Sequence, residues 1–418
     1  MRTLIVSHYF PPEVGAPQAR LSALAAAWSG AGDEVTVLTG MPSHPTGVVP
    51  LQYRRAVRRC ERRDGYAVLR TWLYATPNEG VARKTLSHLS FMISSVLLGW
   101  RATGPADTVV VSSPTFFSIA SAWLLARLKR ARFVVEVREL WPAIFVELGV
   151  LTSRRLIRLL ERLELAAYAA ADEVVVVTDG FRDNLITRGV PAGKVHTIRS
   201  GVSLDRFSPA ARPDPYLRAG LGARPHECLV VYAGTHGISQ GLPEAARAAT
   251  RLVGLPIHVA FVGDGADKPR LRHQVTELAL ANVTLANTIP AELMPSLLAS
   301  ADILIVTLRD IPLLATFIPS KIFEYLAAGR PVIGAVAGEA AQILREAGAV
   351  VVPPEDSAAL AGAIRRLAVD PEIRDIIAAQ GRTYVERFFD QAELARQYRK
   401  ILLIPGRRPV PAAAGAHG

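Results

Sequence analysis

Short apolar runs alternate with helical stripes along most of the chain. Residues 3–7, built on Leu4, Ile5 and Val6, predict a buried strand; a loop at 11–18, a helix at 19–29 and an apolar run at 34–38 follow. Strand, helix and strand in this order predict a parallel sheet with ligands at the strand C-termini. The rhythm continues with a strand at 109–111, a helix at 116–128, a strand ending before Arg138 in 133–142, an amphipathic helix at 153–169 and a strand at 173–178. Asp179 is placed to cap a helix running to Arg188, and 195–198 is a further strand. Residues 201–209 close this half, and a Pro/Ala/Arg-rich stretch at 209–216 reads as a linker.

The pattern then restarts. Strands are predicted at 229–233, 258–263, 282–285, 303–307 and 331–335, with helices at 291–300, 357–368, 372–380 and 391–403. Between them, Pro319 and Ser320 open a helix whose stripe is Ile322, Phe323, Leu326 and Ala327, and Gly329 with Pro331 ends it. Ser320 is placed to accept from an orphan backbone N–H. Two domains follow from this reading, 1–205 and 206–386, then a last helical segment, 387–404, and a disordered tail, 405–418.

Composition narrows the class. At 418 residues, half of them hydrophobic, the chain is long enough for two globular domains. Forty-eight basic against 37 acidic residues give a net charge of +11, which favours anionic partners such as nucleotides or lipid phosphates. No recognised nucleic-acid module accompanies the charge, so nucleic acid is not the expected partner. Two distant cysteines, Cys60 and Cys228, give neither a disulfide framework nor a zinc site, and suit a reducing compartment. The first strand runs directly into His8-Tyr9-Phe10-Pro11-Pro12, so no signal peptide is expected. The uncharged run 85–100 is too short for a membrane span, and 108–126 breaks into a strand, a turn at Ser112-Ser113-Pro114 and a helix. Residues 54–63 are different: Arg54, Arg55, Arg58, Arg59, Arg62 and Arg63 crowd together, with Arg83 and Lys84 ahead of an apolar helix at 85–100. Either the helix is core and the arginines are solvated, or together they meet an anionic membrane surface.

Candidate chemistry gathers in the second half. Lys321 lies in a first helical turn, where the macrodipole favours anions, and this is explained if an anion arrives from outside. Glu324, three residues on, can accept from sugar hydroxyls; the alternative is a surface Lys–Glu pair of little energy. Gly234-Thr235-His236-Gly237-Ile238-Ser239-Gln240-Gly241 is a glycine-rich turn whose amides can cradle a diphosphate, and Gly263 ends the next strand. His236 is read either as a phosphate partner or as a structural histidine. Gly15, in the loop after the first strand, allows close backbone approach or is a plain turn glycine. Glu139, at a strand end, either acts on an acceptor hydroxyl or pairs with Arg138. No D-x-D occurs, so a donor-chelating metal is not expected.

P-S-K-I-F-E-Y-L-A-A-G-R-P-V-I (319–333), with Gly338-Glu339-Ala340 and A-G-A-V-V-V-P-P-E-D (347–356), resembles the donor-binding region of family 4 retaining glycosyltransferases. It is similar in particular to the bacterial branch that builds O-antigen, capsule and colanic-acid type polysaccharides. G-V-S-L-D-R-F-S-P (201–209) resembles the family's hinge, and G-T-H-G-I-S-Q-G (234–241) the branch's phosphate turn. The resemblance implies an α/β GT-B fold, two Rossmann-like domains facing across a cleft, with the C-terminal helix crossing back to the first. It implies that Glu324 holds a ribose, that Lys321, Gly15, Gly234, Thr235, His236, Gly237, Gln240, Gly263 and Ser320 surround the diphosphate and sugar, and that Ile289 lies at the nucleobase. It further implies a hexosyl or N-acetylhexosaminyl transferase using a nucleotide-sugar, a UDP-sugar in expectation, with no separate cofactor and no metal. The acceptor would be a polyprenyl-diphosphate-linked saccharide, the mechanism retaining by front-side attack, and the location the inner face of the cell membrane. Two departures stand out. Thr316 replaces the first Glu of the family's E-x7-E motif, and Glu139 replaces the Asp of R-D-L-W-P. Thr316, together with Thr235 and Gln240 where many family members carry Arg and Lys, leaves room for a non-catalytic binding protein on the same scaffold; a nucleotide-sugar epimerase or hydrolase of the same fold and a transferase with a soluble acceptor are the other readings.

Overall fold

A computed structural model describes residues 1–404 apart from Pro45, Asn78, Glu79, Pro114 and Thr115. The expected tail at 405–418 and the proline of the Ser112-Ser113-Pro114 turn lie outside the described residues. The first sheet contains β1 (Arg2–Ser7), β2 (Glu34–Gly40), β3 (Arg58–Arg63), β4 (Tyr66–Thr71), β5 (Thr108–Ser112), β6 (Arg132–Val137), β7 (Glu173–Val176) and β8 (Val195–Thr197), in the order β3-β4-β2-β1-β5-β6-β7-β8. Its pairs are parallel apart from the β3–β4 hairpin. The second contains β9 (Cys228–Ala233), β10 (Ile257–Val262), β11 (Val283–Ala286), β12 (Ile303–Thr307), β13 (Val332–Ala335) and β14 (Val350–Val352), all parallel, in the order β11-β10-β9-β12-β13-β14. Both faces of these sheets are covered, so β5, β9 and β12 are buried along their whole length and read as Val/Ile/Leu runs.

Helices of the first lobe are α1 (Ala16–Gly30), α2 (Val81–Gly99), α3 (Phe116–Lys129), α4 (Ala143–Glu147), α5 (Arg154–Ala170) and α6 (Asp179–Thr187). Those of the second are α7 (Pro215–Gly220), α8 (Leu242–Thr250), α9 (Lys268–Glu277), α10 (Met294–Ser300), α11 (Lys321–Ala327), α12 (Gly338–Glu346), α13 (Ser357–Val369) and α14 (Pro371–Phe388), and α15 (Gln391–Leu402) follows. On one face of the first sheet, α2, α3, α5 and α6 bury Phe91, Ile119, Ala122, Tyr168 and Phe181 against Val6, Val111 and Val135. The other face is covered by α1 together with α15, which returns from the second lobe: Leu394, Tyr398 and Ile401 pack with Ile5, Leu24 and Trp28. The Trp28 indole donates to the Ala395 carbonyl at 3.0 Å, and Arg399 closes on Asp33 at 2.6 Å. The chain crosses where Val202 pairs with the backbone of Phe389 and Gln391.

Several local expectations change. The first helix starts at Ala16 rather than residue 19, since Pro17 suits a first turn. Thr178, not Asp179, caps α6, its hydroxyl accepting from the Phe181 amide at 3.1 Å. Ser320 makes no side-chain cap: its backbone is already helical, which aims the hydroxyl away from the following amides. The arginine-rich stretch is ordered: 58–63 is an antiparallel edge strand, and charged edges resist pairing with other chains.

Candidate active site

In an open parallel sheet, ligands sit beyond the strand C-termini where the strand order reverses direction. That point lies between β1 and β5 in the first sheet and between β9 and β12 in the second. The loop after β9 is the glycine-rich turn, and the segment after β12 leads to α11. Gly234 and Gly263 let these loops approach closely. Gly263 has φ +148, and a Cβ there would stand 1.9 Å from the Gly234 carbonyl oxygen. Lys268 fixes the same corner, its amine donating to the carbonyls of Gly263 and Ala286 and to Asn287 Oδ1.

Lys321 turns its amine into this corner. Nζ lies 3.6 Å from the centre of the Tyr232 ring, is buried, and has no hydrogen-bond partner. A Cβ on Gly234 would meet it at 2.9 Å. Burial pushes the amine down to about 7, with Glu324 pulling the other way. The surface Lys–Glu pair does not form, because no ion pair joins Lys321 to Glu324. Glu324 is instead raised above the usual carboxylate range by burial, with Arg206 and Lys321 pulling the other way. Tyr325 holds the strand end beside them, donating to the Ala233 carbonyl and accepting from its amide at 2.9 and 2.8 Å.

His236 is fully buried in the turn, and neither ring nitrogen has a partner. Burial and the nearby Lys268 and Lys321 pull it down to about 4, so it is neutral at pH 7. Gln240 Oε1 is likewise buried without a partner, next to Gly237. Thr235 is exposed, and Ile289 half-buried against the second-lobe core. Thr316 bonds the Leu313 carbonyl and packs on Gly180 of the first lobe.

Gly15 and Glu139 stand on the other lobe. Gly15 precedes α1 in extended backbone, with φ 168. Glu139 is open to water and pairs with no side chain among the described residues, so the Arg138 pair is absent too. The turn carrying it leads into α4, whose Ile144 is buried in the apolar cluster of the second lobe, which places Glu139 at the junction. Arg138 itself keeps Nε and Nη1 buried without partners, between Glu136 and Glu139. The lobes are clasped beside it: the Glu339 carboxylate accepts from the Asp179 and Gly180 amides, and the Phe181 and Phe317 rings meet at 4.8 Å.

Periodicity did not point to Tyr232, Lys268, Tyr325 or Glu339. The two tyrosines read as core, and Lys268 lies in α9, whose one buried apolar residue, Leu271, makes no stripe. Among the described residues no cluster of His, Cys, Asp or Glu is arranged to hold a metal ion.

Two lobes, each a Rossmann-like sheet, with facing switch points and a returning last helix define the GT-B architecture of glycosyltransferases. Sucrose-phosphate synthase of Thermosynechococcus elongatus superposes with a TM-score of 0.74 at 21% identity, covering 96% of this chain and 98% of its own. HepE of Anabaena, in complex with UDP and glucose, gives 0.71 at 17% identity over 96% and 99%. Residues 15–201 match the glycosyl transferase 4-like domain, and 227–370 the glycosyl transferases group 1. The chain is also 30% identical to the colanic acid biosynthesis glycosyl transferase WcaI of Escherichia coli (strain K12), over 88% of this chain and 91% of that one. It belongs to the GT-B glycosyltransferases of the family 4 type.

Proposed function

We propose that the protein transfers a hexosyl or N-acetylhexosaminyl group from a UDP-sugar to a polyprenyl-diphosphate-linked saccharide during cell-surface polysaccharide synthesis. The observation that carries this reading is the Lys321 amine, buried without an anion in a glycine-walled corner at the second switch point. A nucleotide diphosphate supplies the missing counter-charge, and Glu324 is within one helical turn to accept from the ribose hydroxyls. The UDP bound to HepE and the polysaccharide role in the name of WcaI support the same choice.

In the reaction the anomeric C–O bond to the β-phosphate breaks while an acceptor hydroxyl forms its bond on the same face, and the hydroxyl proton passes to the departing phosphate oxygen. Lys321 and the turn of Gly234, Thr235, His236, Gly237 and Gln240 hold the developing charge on that oxygen. Glu139 orients the acceptor hydroxyl from the opposite lobe. No step calls for a metal.

The apolar surface of the first lobe supports a place on the inner membrane face. Leu86, Ile93 and Leu97 of α2, Trp123 and Leu128 of α3, and Leu159 of α5 are all exposed, and so are Arg101 just after α2, Arg127 of α3 and Arg155 and Arg158 of α5. No helix among the described residues is long and apolar enough to cross a membrane. The deciding experiment measures UDP release from a panel of UDP-sugars with and without a polyprenyl-diphosphate saccharide. Release that depends on the acceptor supports the reading; equal release without it makes the protein a hydrolase or epimerase.

A further inference from the structure

Beyond the C-terminal ends of β1 and β2 stands a group of imidazoles that the donor pocket does not use. His8 follows β1, His44 lies in the loop after β2, and His88 projects from α2. The ring centres of His8 and His88 are 4.2 Å apart, those of His8 and Tyr9 4.3 Å, and those of Tyr9 and His44 4.9 Å. Phe117 stacks on the far side of His88. His8 is almost wholly buried behind the others, and both its nitrogens lack partners, as does Nδ1 of His88. The two orphaned rings are in contact, so a shift of one against the other can join His8 to Nδ1 of His88 by a hydrogen bond, and Nε2 of His88 is then left for the outside.

What that outward nitrogen meets follows from its neighbours. Lys84 lies one turn before His88 on the same face of α2. The carboxylate nearest in the chain, Glu13, is spent on the amides of Phe10, Ser43 and His44. The wall is therefore rich in N–H donors and poor in acceptors, which suits an anion with several oxygens. On its outer face the same helix exposes Leu86, Ile93 and Leu97. A ligand with an apolar tail along α2 places its head group at His88, at the first sheet's switch point.

We infer that His44, Lys84 and His88, with His8 as the positioning residue behind them, form the binding site for the diphosphate of a lipid-linked acceptor. This rests on the proposed acceptor class. Binding takes up a proton. Burial lowers His8, His44 and His88, the last to about 4, with the Lys84 charge also lowering His44 and His88, so the three imidazoles are neutral in the free protein; an anion favours the imidazolium, which donates outward to the ligand and inward to His8. The other groups facing the site do not supply this proton. Tyr9 is pushed up to about 12, and Glu13, though raised by burial, remains tied to three amides.

The test uses the whole protein and a farnesyl diphosphosugar, a diester whose charge is constant between pH 6 and 8. Imidazole resonances of His88 and the dissociation constant are followed at pH 6.5 and 8.0. Taking up one proton makes binding up to about thirty-fold tighter at the lower pH. The His88 signal should move to its protonated position, and His88→Gln should weaken binding at least about tenfold and flatten the pH dependence. An unmoved His88 signal at saturation, or equal binding by His88→Gln, overturns the site. Inorganic pyrophosphate and phosphatidylglycerol vesicles are the comparison arms. A response to pyrophosphate as strong as to the diester keeps the diphosphate site and assigns it to the free ion, whereas a response to vesicles alone overturns it. UDP-sugar binding, read separately through Lys321, tells failure of this inference from failure of the transferase reading.

Discussion

Lys321 offers a test with a calculable outcome. Its amine is pushed down to about 7 because burial strips it of water without giving it an anion. A bound diphosphate restores the cation and returns the amine toward its ordinary value of about 10.4, so donor binding takes up a proton at any pH between the two. The sign follows: affinity falls as pH rises above 7. Half the free protein carries the ammonium at pH 7 and about one molecule in a hundred at pH 9, so the dissociation constant of a UDP-sugar should rise roughly fifty-fold between them. UDP-sugars suit the assay because their phosphates do not titrate in this range. Titration calorimetry at both pH values, in two buffers of different ionisation enthalpy, reads the affinity and the proton uptake together. Lys321→Arg keeps its charge throughout and should show almost no pH dependence. A wild-type constant that is the same at pH 7 and pH 9 would falsify the assignment of Lys321 to the phosphates.

Glu324→Ala removes a carboxylate that accepts from ribose hydroxyls, a loss of about 1.5–3 kcal/mol for bonds to a charged group. The donor KM should rise at least about tenfold with little change in thermal stability, and an unchanged KM removes Glu324 from the pocket. Gly263→Ala puts a methyl group 1.9 Å from the Gly234 carbonyl, so the phosphate corner must open. UDP-sugar binding should be lost while circular dichroism stays near wild type; normal binding would show that the corner plays no part. Leu97→Glu places a charge on an apolar position of α2 that is 74% exposed. It should abolish flotation with phosphatidylglycerol liposomes and leave UDP-sugar binding intact, whereas undiminished flotation would move the membrane surface elsewhere.

The fold was legible where burial on both sides of a sheet forces unbroken apolar runs, as in β1, β9 and β12, and where caps and glycines mark the ends, as around α11. It was hidden where charge is buried by pairing. Arg70 lies inside β4 with its guanidinium on Glu61, and the pattern gave no strand there, while its partner β3 showed only as a cluster of arginines. The helix α9 was missed because a single buried leucine makes no stripe. Within the site, Lys321 and Glu324 were visible as an oddly placed cation and a carboxylate on one face. Their setting was not: Tyr232 reaches Lys321 only through the pairing of β9 with β12, and no local spacing reports that. Nor does spacing reveal that Thr316, where a second carboxylate was sought, packs across the lobes on Gly180.

The central claim is that this pocket passes a sugar from a nucleotide to a lipid-linked acceptor. Its most direct measurement uses UDP-sugars labelled in the sugar, incubated with the protein and a polyprenyl-diphosphate saccharide, with radioactivity counted in the organic phase. The account predicts label in the lipid fraction for at least one donor, in step with UDP release, and none with Lys321→Ala. Equal labelling by Lys321→Ala, or UDP release with no label in any acceptor, would contradict it.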